Sequence, residues 1–315
     1  MEIKYLSSNE VYEKLDMNSC ISLMEEVFTA LSNGEVDNIV RSMVNTGEGG
    51  LLGIMPGLIP SRHAVGTKLI TVFHDNYLKG LPSHQGIVAV YDTANGTLKG
   101  ICDGTAITAV RTGAVSAVAT KYMSKPDSTK LALLGSGVQA GTHLEAIKCI
   151  RDIREVTVWS NSLESMNSFI EKYSKKYPEI SLKGCETAEE AVKDADIICT
   201  VTPSHTPILK GEWVKPGAHI NAVGACTKRD RELDTECVKK SKLICDAYSS
   251  CMAEAGDFLI PLDEGAFGED HLIGDLGGVV TGKVAARTSK DDITCFEALG
   301  LACEDVICAD WLLKL

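Results

Sequence analysis

The chain has 315 residues, enough for one large domain or two of ordinary size, and its 44% hydrophobic and 23% charged residues are typical of a globular protein. Its formal net charge of −12 disfavours nucleic acid and anionic lipid as partners. The opening segment MEIKYLSSNEVYEKLD has no signal-like apolar core, and no apolar run reaches the ~18 residues of a membrane span, so we expect a cytoplasmic protein without membrane contact.

The first part of the chain is predicted to form two helices and an antiparallel sheet. Ser7 and Glu10 have the spacing of a capping box that opens a short helix. A second helix is predicted from about residue 18 to residue 32, with Gly34 as its stop signal. The strand-like stretches LLGIMP and AVGTKLITVF follow, and GIVAVYDTANGTLKGIC has the form of a hairpin around its Asn-Gly turn.

The rest of the chain alternates between short apolar strands and helices. An Ala/Val-rich helix over Gly104–Lys121 and a break at Ser124–Asp127 come before this pattern. The alternation indicates a parallel sheet with helices on both faces. A final helix is predicted over Thr294–Leu315, and we expect it to pack on the first domain. The predicted strands are Lys130–Leu134, Glu155–Trp159, Ile197–Thr202, His219–Val223 and Leu243–Asp246.

The twelve cysteines are expected to be reduced thiols that pack in the core. Several fall inside predicted strands, such as Cys199 and Cys245. Since no Cys-x-x-Cys pair and no histidine cluster with zinc-ligand spacing occurs, we predict no metal site. A metal or redox centre is the alternative.

One strand–loop–helix segment contains Gly135-Ser136-Gly137-Val138-Gln139-Ala140. In a dinucleotide-binding unit the first glycine allows a tight turn, the second lets a pyrophosphate approach the backbone, and a small third residue lets the helix pack closely on the strand. The free N–H groups of the helix would then face the phosphates. Because the strand, loop, helix and next strand are all in place, we predict a Rossmann unit that binds NAD(P)H; a structural glycine turn is the alternative.

The residues after the second strand of this unit select between NAD and NADP. They are Ser160, Asn161 and Ser162, without the carboxylate that would bond the ribose 2′-hydroxyl of NAD. Since no acid is present to repel a 2′-phosphate, NADPH is favoured over NADH. No arginine accompanies these residues, so both cofactors remain open.

Three cations in the first part of the chain are candidates to bind a substrate carboxylate. Lys68 lies in an otherwise apolar strand and Arg111 in an otherwise apolar helix, settings in which a charge is costly unless it is paired. Arg41 is the third candidate. A structural ion pair, or a side chain that extends to solvent, is the alternative for each of them.

Four segments together resemble the ornithine cyclodeaminase/mu-crystallin family. They are PSHQG (82–86), TAVRTGAVSAVAT (108–120), LLGSGVQA (133–140) and GEWVKPGAHINAVGA (211–225), and the likeness looks closest to the mu-crystallin branch. It implies an α/β fold in which an NAD(P)-binding Rossmann domain, residues 124–291, is inserted in an α+β domain for substrate binding and dimerisation. That domain would comprise residues 1–123 and 292–315, and the protein would be a homodimer.

The resemblance also implies roles for side chains of the first domain. Arg41 and Arg111 would clamp a substrate carboxylate, and Arg111 would also lie against the cofactor. Lys68 would add charge and relay a proton to an imine nitrogen. The segment Ser83-His84-Gln85 would line the nicotinamide side, and its histidine is a second candidate for proton relay, with packing as the alternative. Met55 is placed on the substrate side.

Further cofactor contacts are implied by the resemblance and by position, because the carboxyl ends of strands face the ligand crevice of open α/β sheets. Asp275 is expected to be a helix or turn carboxylate and not a catalyst. The implied contacts are Thr112, Thr200, Val201, Thr202, Val223, Gly224 and Gly282.

Two positions depart from the cyclodeaminase pattern. Cyclodeaminases carry an aspartate where this chain has Cys226, and a glutamate before the Met-Pro of the early strand where it has Gly53. Their loss removes a base and the anchor for a side-chain amine. The resemblance therefore implies imine reduction in preference to cyclodeamination, while Cys226 is open to a packing or an acid role.

These observations imply an NAD(P)H-dependent oxidoreductase that converts small, carboxylate-bearing 2-imino acids to L-amino acids. Pyrroline-2-carboxylate, piperideine-2-carboxylate and linear imino acids are the substrates that the resemblance suggests. An ornithine cyclodeaminase-type cyclase and an alanine dehydrogenase-like enzyme are the enzymatic alternatives. A crystallin-like ligand-binding protein is the non-enzymatic one, and the retention of all three cations favours catalysis over it.

Overall fold

The computed structural model describes residues 3–47, 49–73, 76 and 79–315. It divides into two compact units, the first formed by Met1–Arg111 and Gly300–Leu315 and the second by Thr112–Leu299. The second unit is therefore inserted in the chain of the first, as the predicted fold class requires. Both boundaries differ from the predicted ones, since they follow residues 111 and 299 instead of 123 and 291.

Both helices predicted near the start of the chain are confirmed. Ser7 and Glu10 form a capping box, and Asp16 caps the second helix by accepting a hydrogen bond from the Ser19 amide. The elements up to residue 123 are β1 (Tyr5–Leu6), α1 (Ser8–Lys14), α2 (Met17–Ser32), β2 (Asp37–Asn38), β3 (Ser42–Asn45), β4 (Leu51–Ile59), β5 (Ala64–Val72), β6 (His84–Asp92), β7 (Leu98–Asp103) and α3 (Gly104–Met123).

The predicted alternation of strands and helices is also confirmed after residue 123. The elements are β8 (Lys130–Leu134), α4 (Val138–Ile150), β9 (Glu155–Trp159), α5 (Leu163–Lys176), β10 (Ser181–Gly184), α6 (Ala188–Val192), β11 (Ile197–Thr200), β12 (His219–Ala222), α7 (Thr235–Lys240), β13 (Ser241–Cys245), α8 (Tyr248–Glu254), α9 (Gly256–Asp263), β14 (Leu272–Asp275), α10 (Leu276–Val280), β15 (Ile293–Glu297) and α11 (Ala302–Leu313).

The first unit is a sheet covered by helices. Its strand order is β1-β7-β6-β5-β4-β2, with β3 paired to β4, and all neighbours are antiparallel except β1 and β7. The C-terminal helix α11 packs on β4, β5 and β6 and against α2. Ten of the twelve residues of this helix are buried, its three acids among them, so the first unit depends on the last residues of the chain for its core.

The second unit is built on a parallel sheet in the order β10-β9-β8-β11-β12-β15-β13-β14. Alternate residues of β8 lie on opposite faces of the sheet. Leu131 and Leu133 pack with α4 and α5, while Ala132 and Leu134 pack with the helices on the other face. Both faces are thus apolar, as expected for a parallel sheet between two helical layers. This is the predicted Rossmann-like architecture.

The predicted helix over Thr294–Leu315 is wrong in its first part. Residues Ile293–Glu297 form β15, which pairs with β12 on one side and β13 on the other, and the helix begins only at Ala302. A strand buried on both faces has a continuous apolar run, which periodicity alone does not distinguish from a helix segment. Residues 293–299 therefore belong to the parallel-sheet unit and not to the first domain.

Ten of the twelve cysteines are buried and all twelve are free thiols, in agreement with the predicted packing role. In the part of the chain that the structure describes, no helix combines the length and apolar character needed to cross a membrane.

Candidate active site

Lys68 and Arg111 meet a pair of acidic side chains in the first unit. The Nζ of Lys68 lies 2.6 Å from Oδ2 of Asp305 and 3.4 Å from the hydroxyl of Thr108. The guanidinium of Arg111 donates from Nε to Asp305 at 3.0 Å and from Nη1 to Glu304 at 2.6 Å. These four charged residues are at most 5% exposed, so Asp305 bridges two buried cations.

The local structure explains why these charges meet. Lys68 lies opposite Met55 in the register of β5 with β4 and extends toward α11. Asp305 is in the first turn of α11, where the positive end of the helix dipole favours a carboxylate. Gly300 has a φ of +84°, and a Cβ atom there would lie only 2.7 Å from Nη1 of Arg111. Gly300 is therefore required by both backbone conformation and the position of the guanidinium.

Burial lowers the pKa of Lys68 to about 8, although Asp305 opposes this, and the charges of Arg111 and Arg41 lower it further. Burial also acts to lower the pKa of Arg111, but the carboxylates of Asp305 and Glu304 outweigh it and the pKa is raised. Both side chains are therefore charged at neutral pH. The pKa of Lys68 is close enough to neutral pH for its ammonium group to act as an acid.

Arg41 completes this cluster. It precedes β3, is partly buried, and lies near enough to Lys68 to influence its pKa. We refer to Arg41, Lys68, Arg111, Glu304 and Asp305 as the cation cluster. The cluster brings three cations and two carboxylates together, and Arg41 is the one partly buried member among them.

His84 does not join the cation cluster. It starts β6 opposite Val72, whereas Lys68 is opposite Val88, four residues further along the same strand. At about 3.3 Å per residue this separates the two backbone positions by roughly 13 Å. His84 is exposed, and its Nδ1 lies 3.0 Å from the hydroxyl of Ser83. Gln85 is exposed beside it, and its side chain donates to the carbonyl of Pro82.

The phosphate loop of the second unit has the predicted geometry. Gly135 follows β8 with a φ of +124°, and a Cβ atom there would lie 2.8 Å from the carbonyl of Val201. Gly137 is the N-cap of α4, and a Cβ atom there would meet no atom of the described residues within 4 Å. Ala140 is fully buried against the sheet, as expected for the third small residue. No side chain among the described residues caps α4, so its first N–H groups, including those of Val138 and Gln139, are available to an anion.

The residues after β9 form a polar edge beside this loop. The hydroxyl of Ser162 caps α5 by accepting from the Ser165 amide, and Ser160 accepts a bond from the Ser162 amide at 3.3 Å. Ser165 also contacts Ser136 of the phosphate loop, with 2.8 Å between the two hydroxyl oxygens. Asn161 is exposed. The residues after β9 therefore present the hydroxyl groups of serines and the side-chain amide of Asn161 as hydrogen-bond donors.

Sequence analysis did not identify Glu232, which joins two of the predicted cofactor segments. Its Oε1 accepts from both the amide and the hydroxyl of Thr202 after β11, and its Oε2 accepts from the amide of Gly224 after β12. Glu232 is fully buried. The sequence carried no signal for it, because Glu232 ends a run of five charged residues (228–232) and its carboxylate reaches back across 30 residues to Thr202.

Two more buried acids lie at the same edge of the sheet. Glu297, the last residue of β15, is 1% exposed, and neither of its carboxyl oxygens has a hydrogen-bond partner among the described residues. Burial raises its pKa well above the usual value, and the nearby Asp257 raises it further. Burial likewise raises the pKa of Asp257 to about 8. Burial therefore favours the protonated form of both acids.

The remaining predicted residues are spread over the second unit. Cys226 is partly buried after β12, and its thiol lies 3.6 Å from the carbonyl of Val223. Asp275 caps α10 by accepting from the Gly278 amide, which confirms its expected helix role. Gly282 follows α10 with a φ of +75°, and Thr112 is buried on α3.

A family model described as the ornithine cyclodeaminase/mu-crystallin family matches residues 1–313. The chain belongs to this family. The ketimine reductase mu-crystallin of Rattus norvegicus is 39% identical over 312 residues, covering 97% of this chain and 95% of the relative.

Solved structures of the ornithine cyclodeaminase/mu-crystallin fold superpose on nearly the whole chain. The Delta(1)-pyrroline-2-carboxylate reductase of Thermococcus litoralis, solved with NADH and L-proline, has a TM-score of 0.96 at 35% identity and covers 98% of this chain and 96% of its own. An archaeal alanine dehydrogenase dimer with bound NAD has a TM-score of 0.93 at 30% identity, covering 100% of this chain and 96% of its own. The expected resemblance and fold class are thereby confirmed.

The surroundings of Gly53 leave little room for a side chain. A Cβ atom at Gly53 would lie 3.2 Å from both the Met43 sulfur and the Ile70 side chain. A glutamate at this position would therefore require its neighbours to move. The early strand of this chain is packed for a residue without a side chain, in keeping with the absence of an amine anchor.

The charge of Asp305 is predicted to stabilise both buried cations at once. Asp305→Asn should lower the free energy of unfolding by about 3 kcal/mol, because it leaves buried charges without compensation. The combined variant K68M/D305N should be more stable than the sum of the two single changes predicts, by about 1 kcal/mol or more. Urea unfolding of the four proteins measures this coupling, and strictly additive effects would contradict the bridge.

The raised pKa of Glu297 predicts a pH-dependent stability. Because its pKa in the folded state is raised above the unfolded value of about 4.3, its contribution to stability is complete at low pH and is lost as pH rises toward the folded pKa. Glu297→Gln should therefore raise the unfolding free energy by about 1 kcal/mol at pH 8, or ~2–4 °C in Tm, with little effect near pH 4.

The matched control is Glu212→Gln, since the side chain of Glu212 is 69% exposed. Thermal unfolding at both pH values compares the two variants. Equal Tm changes for E297Q at pH 4 and pH 8 would show that Glu297 does not hold its proton in the folded state.

Proposed function

We propose that this protein reduces 2-imino acids, with cyclic ketimines foremost, to L-amino acids with NADPH. The chain is an NAD(P)-dependent oxidoreductase of the imine-reducing type, as its named reductase relatives indicate. The observation that carries the choice of substrate is the meeting of two buried cations, Lys68 and Arg111, with the partly buried Arg41 near them. A small molecule with one carboxylate next to a C=N bond would present its carboxylate to the arginines and its nitrogen to Lys68.

The cation cluster supplies the binding and proton chemistry of this proposal. Arg41 and Arg111 hold the substrate carboxylate by charge-assisted hydrogen bonds. Asp305 and Glu304 fix the orientation of Arg111 so that the guanidinium does not have to be ordered when the substrate binds. Lys68 donates the proton that the nitrogen needs as the C=N bond becomes an amine. Its pKa of about 8 lets it be charged before the transfer and give up the proton during it.

The second unit fits a nicotinamide dinucleotide. The space at Gly137, the uncapped start of α4 and the hydroxyl donors after β9 are the features that a pyrophosphate and a phosphorylated ribose require. When bound, the cofactor supplies the hydride that the imine carbon receives. Thr200 to Thr202, Val223, Gly224 and Gly282 are proposed to contact its other half, together with Ser83 to Gln85 and Thr112.

Imine reduction is favoured over its alternatives by particular residues. Cyclodeamination needs an anchor for a side-chain amine, and Gly53 offers none. A ligand-binding protein without catalysis has no need of a lysine whose pKa is brought near neutrality. The solved archaeal relative is a dimer, and we propose that this chain also forms a homodimer.

Turnover with a panel of imino acids tests the function. NADPH should be oxidised with pyrroline-2-carboxylate or piperideine-2-carboxylate, and Lys68→Met should lower kcat by roughly 100-fold or more with little change in the Kd for NADPH. The matched control is Lys99→Met, because Lys99 also pairs with an acid of α11, Asp310, at 3.0 Å but lies outside the cation cluster. Ammonia release from ornithine without net NADPH oxidation would favour the cyclodeaminase, and full activity of K68M would refute the catalytic assignment.

Cofactor preference is predicted to depend on the edge after β9. Wild type should bind NADPH more tightly than NADH. Ser160→Asp should weaken NADPH binding by about 10-fold and leave NADH binding nearly unchanged, since a carboxylate repels the 2′-phosphate but accepts the 2′-hydroxyl. Ser160→Asn is the uncharged control. Fluorescence titration measures the affinities of all three proteins for both cofactors, and equal losses for both cofactors in S160D would contradict this placement of the ribose.

A further inference from the structure

Glu232 is a buried carboxylate that ties together the ends of two neighbouring parallel strands. Its side chain accepts from the amide of Thr202 at 2.7 Å, from the hydroxyl of Thr202 at 2.5 Å and from the amide of Gly224 at 2.8 Å. The strands concerned, β11 and β12, are adjacent in the sheet, and Thr200 is the register partner of Ala222 at their ends. The carboxylate thus joins the two segments just where each leaves the sheet.

The backbone of Glu232 is fixed as firmly as its side chain. Asp257 Oδ1 accepts from the amides of Glu232 and Leu233, at 3.0 and 2.7 Å. The carbonyl of Glu232 accepts from the amides of Ile208 and Leu209 at 2.7 and 2.9 Å. Every polar group of Glu232 is therefore engaged, and its carboxylate cannot shift without breaking bonds to other segments.

The ends of β11 and β12 are also packed closely around the carboxylate of Glu232. A Cβ atom on Gly224 would lie 2.1 Å from the carbonyl of Thr202 and 2.5 Å from Oε2 of Glu232. Two backbone amides and one hydroxyl point at the same buried position. A carboxylate satisfies all three donors, because it has two acceptor oxygens and carries no donor hydrogen of its own.

These strand ends lie on one side of β8, whereas β9 and β10 lie on the other. In a dinucleotide-binding sheet the two halves of the cofactor occupy the two sides of the first strand, and the adenosine half belongs with the second strand. The ends of β11 and β12 are therefore expected to contact the nicotinamide half. Glu232 itself is fully buried and acts on the cofactor only through Thr202 and Gly224.

We propose that Glu232 is a positioning residue for the nicotinamide half of the cofactor, because its carboxylate sets the separation of the β11 and β12 ends. This inference rests on the proposed binding of a nicotinamide dinucleotide and does not depend on which imine is reduced. It predicts a selective effect: a change at Glu232 weakens binding of the whole dinucleotide much more than binding of its adenosine fragment.

Glu232→Gln tests the proposal. A glutamine offers one acceptor oxygen, and its amide group would face an N–H donor, so one strand end loses its partner. The Kd is measured by titration for NADPH and for adenosine 2′,5′-bisphosphate, with NADH and AMP used instead if wild type prefers NADH. We expect E232Q to weaken dinucleotide binding by roughly 10-fold or more and fragment binding by less than about 2-fold.

Asp196→Asn is the matched control. Asp196 accepts from the amides of Thr129 and Lys130 at 2.9 and 3.1 Å, so it joins backbone segments at the opposite, amino edge of the same sheet. D196N should lower Tm without a selective change in dinucleotide binding. If E232Q does not fold, Glu232→Asp serves in its place, because the shorter side chain keeps the charge but reaches only one strand end.

A selective loss of dinucleotide affinity in E232Q or E232D, absent from D196N, supports the proposal. Unchanged dinucleotide binding, or equal losses of dinucleotide and fragment, would overturn it. A wild type that binds dinucleotide but reduces no imino acid would refute the proposed function and leave the role of Glu232 standing. A wild type that binds neither dinucleotide would overturn both.

Discussion

The ion pairs of Asp305 with Lys68 and Arg111 are the interaction on which the first unit depends. Two cations in an apolar core are tolerated only when a carboxylate compensates them, and here one carboxylate serves both. That carboxylate belongs to α11, which follows the inserted unit in the chain. The first unit therefore acquires from this one helix both the carboxylates that compensate its buried cations and the last part of its core, so charge compensation and folding of this unit are linked.

Buried acids in the two units are accommodated in different ways. In the first unit, Glu304 and Asp305 pair with buried cations and raise the pKa of Arg111. In the second unit, the carboxylate of Glu232 accepts three hydrogen bonds from the ends of two strands. Glu297 has no hydrogen-bond partner among the described residues, and burial favours its protonated form.

The sequence predicted the features that local chemistry dictates. The glycines at 135 and 137, the Ala/Val helix carrying Arg111 and the isolated lysine of β5 each stand out from their neighbours, and the structure confirms the strands, loop and helices that were predicted to contain them. Asp305 and Glu304 were not predicted, because their partners lie about 200 residues away and an acid in the first turn of a helix is common. Strand β15 was predicted as helix since a strand buried on both faces has no alternation.

Long-range hydrogen bonds account for the rest of what sequence reasoning missed. Glu232 has no distinguishing neighbours in the sequence, and its role appears only when the ends of β11 and β12 are brought together. His84 could be named from the sequence, since it lies in a recognisable segment and its residue type suits proton relay. The strand register was needed to show that its backbone lies four residues along β6 from the position opposite Lys68.

Under the proposed function, the chain transfers a hydride to the imine carbon of a carboxylate-bearing substrate. This transfer can be followed by mass spectrometry of the product formed from piperideine-2-carboxylate with NADPH deuterated at the nicotinamide C4. We expect an amino acid with a single deuterium at the α-carbon, formed in step with cofactor oxidation. A product without deuterium from either C4 position, or cofactor oxidation without product, would contradict it.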